Sequence, residues 1–342
     1  MSEIIPGIQI TIPAYNCVDT IGKTLESTRN QDYDHERVFT IVVDFGSTDG
    51  TYEKLLGEDP YHLGVFQVTG KRYGDSMASD AVAFHEYQPA GISPTYSLLL
   101  WPGEVIYPSF LKTATEVMIR NREHSPKLLI CETDVCGEDG TVKKQEPLYN
   151  GDCIINGELD FKEYLTHGNR HNILCFGGNI NKCKNIQARI ANDRRHWMKC
   201  INLNMNANCI YLSKALACVR ETTYGDEVEE VLLRWVMNIN TMRGYLAKYG
   251  RCIDDQFETL SQRNVASYAL WRSYITQKKG LYTQAQDCYL LAEAIYPGIV
   301  SENVWAMVTR HLNNPDDDTR QWLERHFGDE EIREALHNPI NR

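Results

Sequence analysis

Two mostly apolar runs flank an amphipathic segment near the start of the chain. The first run, residues 8–12, breaks at Pro13, and the second, residues 38–43, stops at Asp44. Between them, residues 17–29 carry apolar side chains at helical spacing. A strand, a helix and a strand in this order predict a βαβ unit of a parallel sheet.

Polar or conformationally special residues follow each of the two predicted strands. In an open parallel sheet, the carboxyl ends of the strands line the crevice in which ligands bind. We therefore expect functional residues among Pro13, Tyr15, Asn16 and Asp44.

The alternation of strands and helices continues well beyond this unit. Further strands are predicted at residues 64–68, 97–100, 128–131, 173–180, 210–212 and 216–219, with a hairpin turn at residues 138–140. Gly177 and Gly178, inside one of these strands, predict a bulge or a close backbone approach. From residue 226 the apolar positions recur at helical spacing only. The pattern predicts an α/β fold with a mostly parallel sheet, followed by an all-α region.

Composition narrows the class of protein. The 342 residues have a formal net charge of −11, which argues against nucleic acid or an anionic membrane as the main partner. No apolar run has the length of a transmembrane segment, and MSEIIPGIQI lacks the basic region of a signal peptide. The eleven cysteines are scattered without a CxxC motif, which favours reduced thiols and a cytoplasmic location.

The motifs at both strand ends resemble those of family 2 glycosyltransferases. The chain reads IPAYN after the first strand and VDFGSTDGT at the end of the second. The resemblance is strong over residues 1–110 and traceable to Arg220. It implies a GT-A fold, Rossmann-like, in a domain of residues 1–222, with a nucleotide-binding half at 1–125 and an acceptor half at 126–222. Residues 223–342 form the helical region.

The resemblance also implies a reaction and a donor site. The expected reaction is inverting transfer of a sugar from a nucleotide-sugar donor, UDP-linked, to a hydroxyl of a glycan or lipid-linked precursor. The nucleotide-binding residues implied are Pro13, Tyr15, Asn16, Asp44, Arg72 and Asp80. Family members often carry Ala-Arg-Asn where this chain has Ala78-Ser79-Asp80. Lys71 or Arg72 would then contact the diphosphate in place of the missing arginine.

The family's metal-binding motif is altered in this chain. Members carry DxD, whose carboxylates hold Mg²⁺ or Mn²⁺ against the diphosphate, whereas this chain reads Trp101-Pro102-Gly103-Glu104. Trp and Gly offer no side-chain oxygen ligand. Three alternatives follow: Glu104 and a second carboxylate hold a metal, Lys71 or Arg72 replaces the metal, or the site no longer catalyses transfer. The third would make the chain a nucleotide-sugar-binding or scaffolding protein.

A second acidic candidate lies in the acceptor half. The resemblance implies that Asp193, four residues before Trp197, is the general base that takes the proton from the acceptor hydroxyl. His196 is the second candidate for this base or for a phosphate contact. The alternative for Asp193 is an acid in the first turn of a helix, favoured by the helix dipole.

The helical region contains a segment, residues 267–297, that resembles one tetratricopeptide hairpin with its turn at Gly280. One such hairpin cannot bury its apolar face alone and must pack on other helices or on another subunit. It is either a buttress for the catalytic domain or a surface for a protein partner or self-association.

Overall fold

The chain divides into two compact units, each described here by itself. The first comprises residues 1–161 and 171–221, and the second comprises residues 162–170 and 222–342. The computed structural model describes residues 5–68, 94–137, 141–144, 147, 149–156, 174–178, 208–220, 228 and 255–328.

The first unit begins with the predicted βαβ arrangement. Strand β1 is Gly7–Ala14, helix α1 is Ile21–Arg29 and strand β2 is Val38–Asp44, parallel to β1. Every residue of both strands is buried. Side chains from both sides of β2 enter apolar clusters, which explains why its sequence is continuously apolar instead of alternating.

Strand β1 continues through Pro13, so the predicted break there was wrong. Pro13 pairs with Val43 in register. The carbonyl of Ala14 accepts a hydrogen bond from Phe45 N on the β2 side of the strand, whereas the carbonyl of Thr11 accepts from Leu100 N on the opposite side. Backbone groups alternate sides along a strand, so the nitrogen of Pro13 faces the Leu100 side. Pairing on that side ends at Thr11, so the missing N–H of Pro13 breaks no ladder bond.

The remaining elements of the first unit complete a ten-stranded sheet. They are α2 Thr51–Leu56, β3 Leu63–Gln67, β4 Pro94–Leu99, β5 Val105–Ile106, α3 Phe110–Arg120, β6 Leu128–Cys136, β7 Val142–Lys143, β8 Cys153–Ile155, β9 Leu174–Gly178 and β10 Cys209–Arg220. The main strand order is β3-β2-β1-β4-β9-β6-β10-β5, with β7 on β6 and β8 on β10.

Three details of the sheet bear on the predictions from the sequence. Strand β10 is one strand with an irregularity between Leu212 and Ala217, where the sequence predicted two. The glycine in β9 is explained by a neighbouring strand, since a Cβ on Gly177 would lie 2.8 Å from the carbonyl oxygen of Lys127. The predicted hairpin is confirmed by antiparallel β6 and β7.

A disulfide joins Cys136 on β6 to Cys218 on β10. Their Cα atoms lie 6.0 Å apart although 82 residues separate them in the chain. This pair departs from the expectation of reduced thiols. Parallel pairing of β6 with β10 brings the two cysteines together, and spacing along the sequence gives no sign of that pairing.

The second unit is helical throughout its described part. Its elements are α4 Asp255–Lys278, α5 Tyr282–Ile295, a 3₁₀ turn Pro297–Ser301, α6 Asn303–Asn313 and α7 Asp317–Gly328. None of the helices that the structure describes is long and apolar enough to cross a membrane. The helical pattern predicted from residue 226 lies outside the described residues as far as residue 254, except at Val228.

The hairpin of α4 and α5 turns at Gly280, whose φ is +77°, a value that glycine adopts without cost. Ala285 and Ala292 are fully buried between the helices. Tyr282, a position of the repeat-like pattern, is 70% exposed and adds nothing to this core. The described helices share one apolar cluster, which is how the hairpin buries its inner face.

Candidate functional site

Three neighbouring strands end together at one edge of the sheet. In register, Ala14 of β1 lies opposite Asp44 of β2, and Asp44 lies opposite Gln67 of β3. Tyr15 follows β1 and its side chain is 41% exposed. The carboxyl-end edge therefore carries an exposed aromatic ring, an acid and an amide on adjacent strands, as the crevice of a parallel sheet requires.

Asp44 is fully buried at this edge and accepts four hydrogen bonds. Its Oδ2 accepts from the backbone N–H groups of Gly46 and Ser47 and from Gln67 Nε2, each at 3.1 Å. Its Oδ1 accepts from the Ser47 hydroxyl at 2.5 Å. A buried carboxylate needs such donors to offset its lost hydration. Asp44 thus fixes the turn after β2 and the end of β3.

Asn16 joins the loop after β1 to the loop after β2. Its side-chain Oδ1 accepts from Thr48 N at 2.8 Å, and its backbone N–H donates to the Ser47 hydroxyl at 2.9 Å. Its φ of +46° is a left-handed conformation that asparagine tolerates better than most residues. The amide oxygen of Asn16, a predicted nucleotide-binding residue, therefore accepts a hydrogen bond that joins the two loops.

A second set of bonds holds the same two loops. Val18 N donates to Asp49 Oδ2 at 3.1 Å, and Cys17 N donates to the Thr51 hydroxyl at 2.8 Å. That hydroxyl donates to Asp49 Oδ1 at 2.6 Å, and this bond is the first of the interactions that lower the pKa of Asp49. The GSTDGT segment is thus built to hold the neighbouring loop rigid.

Residues 101–104, where the resemblance predicts DxD, form a closed turn. Glu104 N donates to Trp101 O at 2.9 Å, and Trp101 N donates to Glu104 Oε2 at 2.8 Å. Gly103, with φ of +95°, donates its N–H to the Thr24 hydroxyl, which in turn donates to Glu104 O, both at 2.8 Å. The carboxylate of Glu104 therefore stabilises its own turn, which is tied to α1 through Thr24.

The residues of this turn do not fit a metal ion. Glu104 supplies its only carboxylate, and one oxygen of that carboxylate already accepts a backbone N–H. Among the residues that the structure describes, no group of three His, Cys, Asp or Glu side chains could hold a metal. Hard divalent cations need several oxygen ligands, so we derive no step through a metal.

Replacement of Glu104 tests whether its carboxylate is structural. Glu104→Ala removes the acceptor for Trp101 N, and we expect the free energy of unfolding to fall by about 1 kcal/mol. Glu104→Gln keeps a side-chain oxygen at the same place and should stay within about 0.5 kcal/mol of the wild type. Urea denaturation of the three proteins measures both changes.

The same variants test the alternative role of Glu104 as a metal ligand. A metal ligand would give a different result: Mg²⁺ or Mn²⁺ would raise the melting temperature of the wild type and not that of Glu104→Gln. Equal responses of both proteins to the cations agree with the structural role.

A half-buried acid–phenol pair lies further along the sheet. Tyr107 donates its hydroxyl to Asp134 Oδ2 at 2.5 Å. Burial and this hydrogen bond raise the pKa of Tyr107, so the phenol stays protonated as the donor. Asp134 lies beside Cys218 in the register of β6 and β10, next to the disulfide. The pair ties the chain after β5 to β6.

The structure brings together part of the predicted donor site. Tyr15, Asn16 and Asp44 lie at one edge, whereas Pro13 is buried inside β1. The other predicted site residues, Arg72, Asp80 and Asp193, lie outside the described residues, as do Lys71 and His196. Sequence reasoning missed Gln67, although its position as the last residue of β3, beside the end of β2, marks it as an edge residue.

Comparisons with known proteins agree with this geometry. Residues 9–68 match the model of Glycosyl transferase family 2, a segment that contains β1 to β3 and both interlocked loops. Comparison with curated proteins gives no match.

Solved structures resemble the chain over nearly its whole length. Crystal structures of S. aureus TarS 1–349, alone and with UDP, have TM-scores of 0.54 and sequence identities of 14% and 16%. The structure of the same protein with UDP-GlcNAc has a TM-score of 0.55 and 14% identity. Each alignment covers 94% of this chain and 91% of the other. Likeness at this level of identity shows a shared fold.

Proposed function

We propose that this chain, whose N-terminal unit is a family 2 glycosyltransferase domain with the GT-A fold, transfers a sugar from a nucleotide-sugar donor to an acceptor hydroxyl. The observation that carries the proposal is the edge formed by Tyr15, Asp44 and Gln67 inside the segment that matches the family. The similar TarS 1–349 was crystallised with UDP and with UDP-GlcNAc, which favours a UDP-linked hexose donor here.

The proposed reaction is a single in-line displacement with inversion at the anomeric carbon. The acceptor oxygen attacks that carbon, Asp193 takes the hydroxyl proton, and the bond to the nucleoside diphosphate breaks with its electron pair on the departing phosphate oxygen. Arg72 is proposed to offset the charge that develops on the diphosphate. Asp80, Pro13 and Asn16 complete the proposed donor site.

The acceptor, the pathway and the location are proposed from the resemblance to family 2 glycosyltransferases. The acceptor is a glycan or a lipid-linked precursor, in polysaccharide biosynthesis, and the location is the cytoplasm, although the Cys136–Cys218 disulfide is uncommon there. For the helical unit we favour a buttress for the catalytic domain, with a surface for a protein partner or self-association as the alternative. The boundary between the catalytic domain and the helical region is proposed at residue 222.

A second candidate function follows from the turn at residues 101–104. Because that turn closes on itself and its acid bonds its own backbone, residues 101–104 do not form the metal corner expected of an active member. A protein that binds the nucleotide sugar without turning it over, and serves as a scaffold, fits that observation.

One experiment separates the two candidates. UDP-, GDP-, CDP- and dTDP-sugars are incubated with the full chain, with and without EDTA, and release of nucleoside diphosphate is measured. We expect release from a UDP-sugar, and no change with EDTA because the Glu104 carboxylate already accepts a hydrogen bond within its own turn. Binding of UDP without turnover of any donor would favour the scaffold, and absence of both would contradict both candidates.

A further inference from the structure

The buried state of Asp44 limits what it can do at the nucleotide. Its side chain is fully buried, and both carboxylate oxygens already accept hydrogen bonds. Oδ2 already accepts three hydrogen bonds and no part of the residue is exposed, so a ligand reaches this carboxylate only if the surrounding turn opens, which costs free energy because the abandoned donors must find new partners. We therefore expect a ligand to contact one of the donors around Asp44 and not Asp44 itself.

Gln67 is the donor around Asp44 that lies at the surface. Its side chain is exposed, and its Nε2 donates to Asp44 Oδ2 at 3.1 Å. A carboxylate only accepts hydrogen bonds, so the amide must turn its nitrogen toward Asp44 and its oxygen away. Asp44 thus fixes the orientation of the amide, and the structure presents Gln67 Oε1 as a hydrogen-bond acceptor in a defined direction.

The spacing of the strands places this acceptor at the edge of a stacked base. Neighbouring strands lie about 4.8 Å apart, so the end of β3 is about 10 Å from the end of β1. Tyr15, exposed at the end of β1, offers an aromatic face on which a base can stack. A base that stacked on Tyr15 and extended over β2 would bring its hydrogen-bonding edge toward Gln67.

We propose that Gln67 Oε1 reads the ring N–H of the donor's nucleobase and that Asp44 positions Gln67 for this contact. Uracil, thymine and guanine carry a hydrogen on the ring nitrogen of the Watson–Crick edge, whereas cytosine has an unprotonated acceptor there. An amide oxygen attracts the first group and repels cytosine. The inference rests on the proposed function, since it names the class of nucleotide that the same site selects.

Calorimetric titration of UDP and CDP into the full chain tests the proposal. We expect the wild type to bind UDP at least about tenfold more tightly than CDP. Uracil donates one hydrogen bond to the amide oxygen of Gln67, whereas cytosine places a second acceptor against that oxygen. Gln67→Met keeps the length of the side chain without its polar atoms and should bring the two affinities within about threefold. Gln321→Met, an exposed glutamine on α7, is the matched control and should keep the wild-type ratio.

The outcomes distinguish this inference from the proposed function. An unchanged UDP-to-CDP ratio in Gln67→Met, or tighter binding of CDP by the wild type, would overturn the role of Gln67 while nucleotide binding stands. No binding of UDP, GDP, CDP or dTDP by the wild type would overturn the proposed function and this inference together. A thermal melt of Gln67→Met confirms that the variant is folded, as expected for an exposed residue at a strand end.

Discussion

Replacement of Asp44 by alanine is expected to destabilise the first unit and abolish most nucleotide binding. Alanine removes both carboxylate oxygens, so the backbone N–H groups of Gly46 and Ser47, the Ser47 hydroxyl and the Gln67 amide lose their acceptor. Because Asp44 is fully buried and accepts four bonds, we expect the free energy of unfolding to fall by about 3 kcal/mol. UDP affinity should fall about 100-fold, because the Gly46–Ser47 turn and Gln67 lose their common anchor. Urea denaturation and calorimetry measure the two changes.

The matched control for this prediction is Asp59→Ala. Asp59 is exposed, and its side chain accepts one backbone N–H, from Tyr61, at the opposite end of β3. The same chemical change there should alter stability by less than about 0.5 kcal/mol and leave UDP affinity unchanged. A stable Asp44→Ala variant with wild-type UDP affinity would contradict the role of Asp44 as the anchor of this edge.

The opening βαβ unit could be predicted because its signals are local. Mostly apolar runs indicate strands that are buried on both faces. The helical spacing of Ile21 and Leu25 indicates the apolar face of α1. Pro13 misled the prediction of where β1 ends. A proline excludes a strand only where its nitrogen faces a paired neighbour, and that depends on where the β1–β4 ladder stops.

Gln67 could not be predicted because its role depends on register. Its bond to Asp44 exists since β2 and β3 pair in parallel with these two residues opposite each other, 23 positions apart in sequence. The Cys136–Cys218 disulfide has the same origin in the pairing of β6 with β10. Residue types and spacing along the chain identify candidates, but contacts between strands decide which of them meet.

The altered motif at residues 101–104 shows the reverse case. The sequence excludes Trp101 and Gly103 as side-chain metal ligands from their chemistry, and it leaves Glu104 as a candidate. Only the fold shows that this carboxylate accepts Trp101 N and that the turn is held by Thr24, a residue some eighty positions earlier in the chain. Where the resemblance predicts a metal-binding motif, the structure has a turn held by the Glu104 carboxylate and the Thr24 hydroxyl.

Replacement of Asp193 by alanine is expected to have the largest effect on turnover. If Asp193 is the general base, its loss leaves the acceptor hydroxyl without a group to take its proton as the oxygen attacks. General-base catalysis contributes typically a factor of about 100 to 10,000, so kcat should fall by that amount. The affinity for UDP should stay unchanged, because the proposed base contacts the acceptor and not the nucleotide. Steady-state kinetics and calorimetry on the same preparation measure both quantities.

The retained UDP affinity makes this prediction specific for a base. A residue that only capped a helix would, when replaced, lower stability without changing the pH dependence of kcat, whereas loss of a base also removes the rise of kcat with pH. Asp287→Ala, at an exposed aspartate on α5, is the control and should keep wild-type kcat. A kcat for Asp193→Ala within about threefold of the wild type would exclude Asp193 as the base and transfer the test to His196. If the wild type turns over a donor, and Asp193→Ala loses turnover but still binds UDP, the chain is an enzyme and not a scaffold, despite its closed turn at residues 101–104.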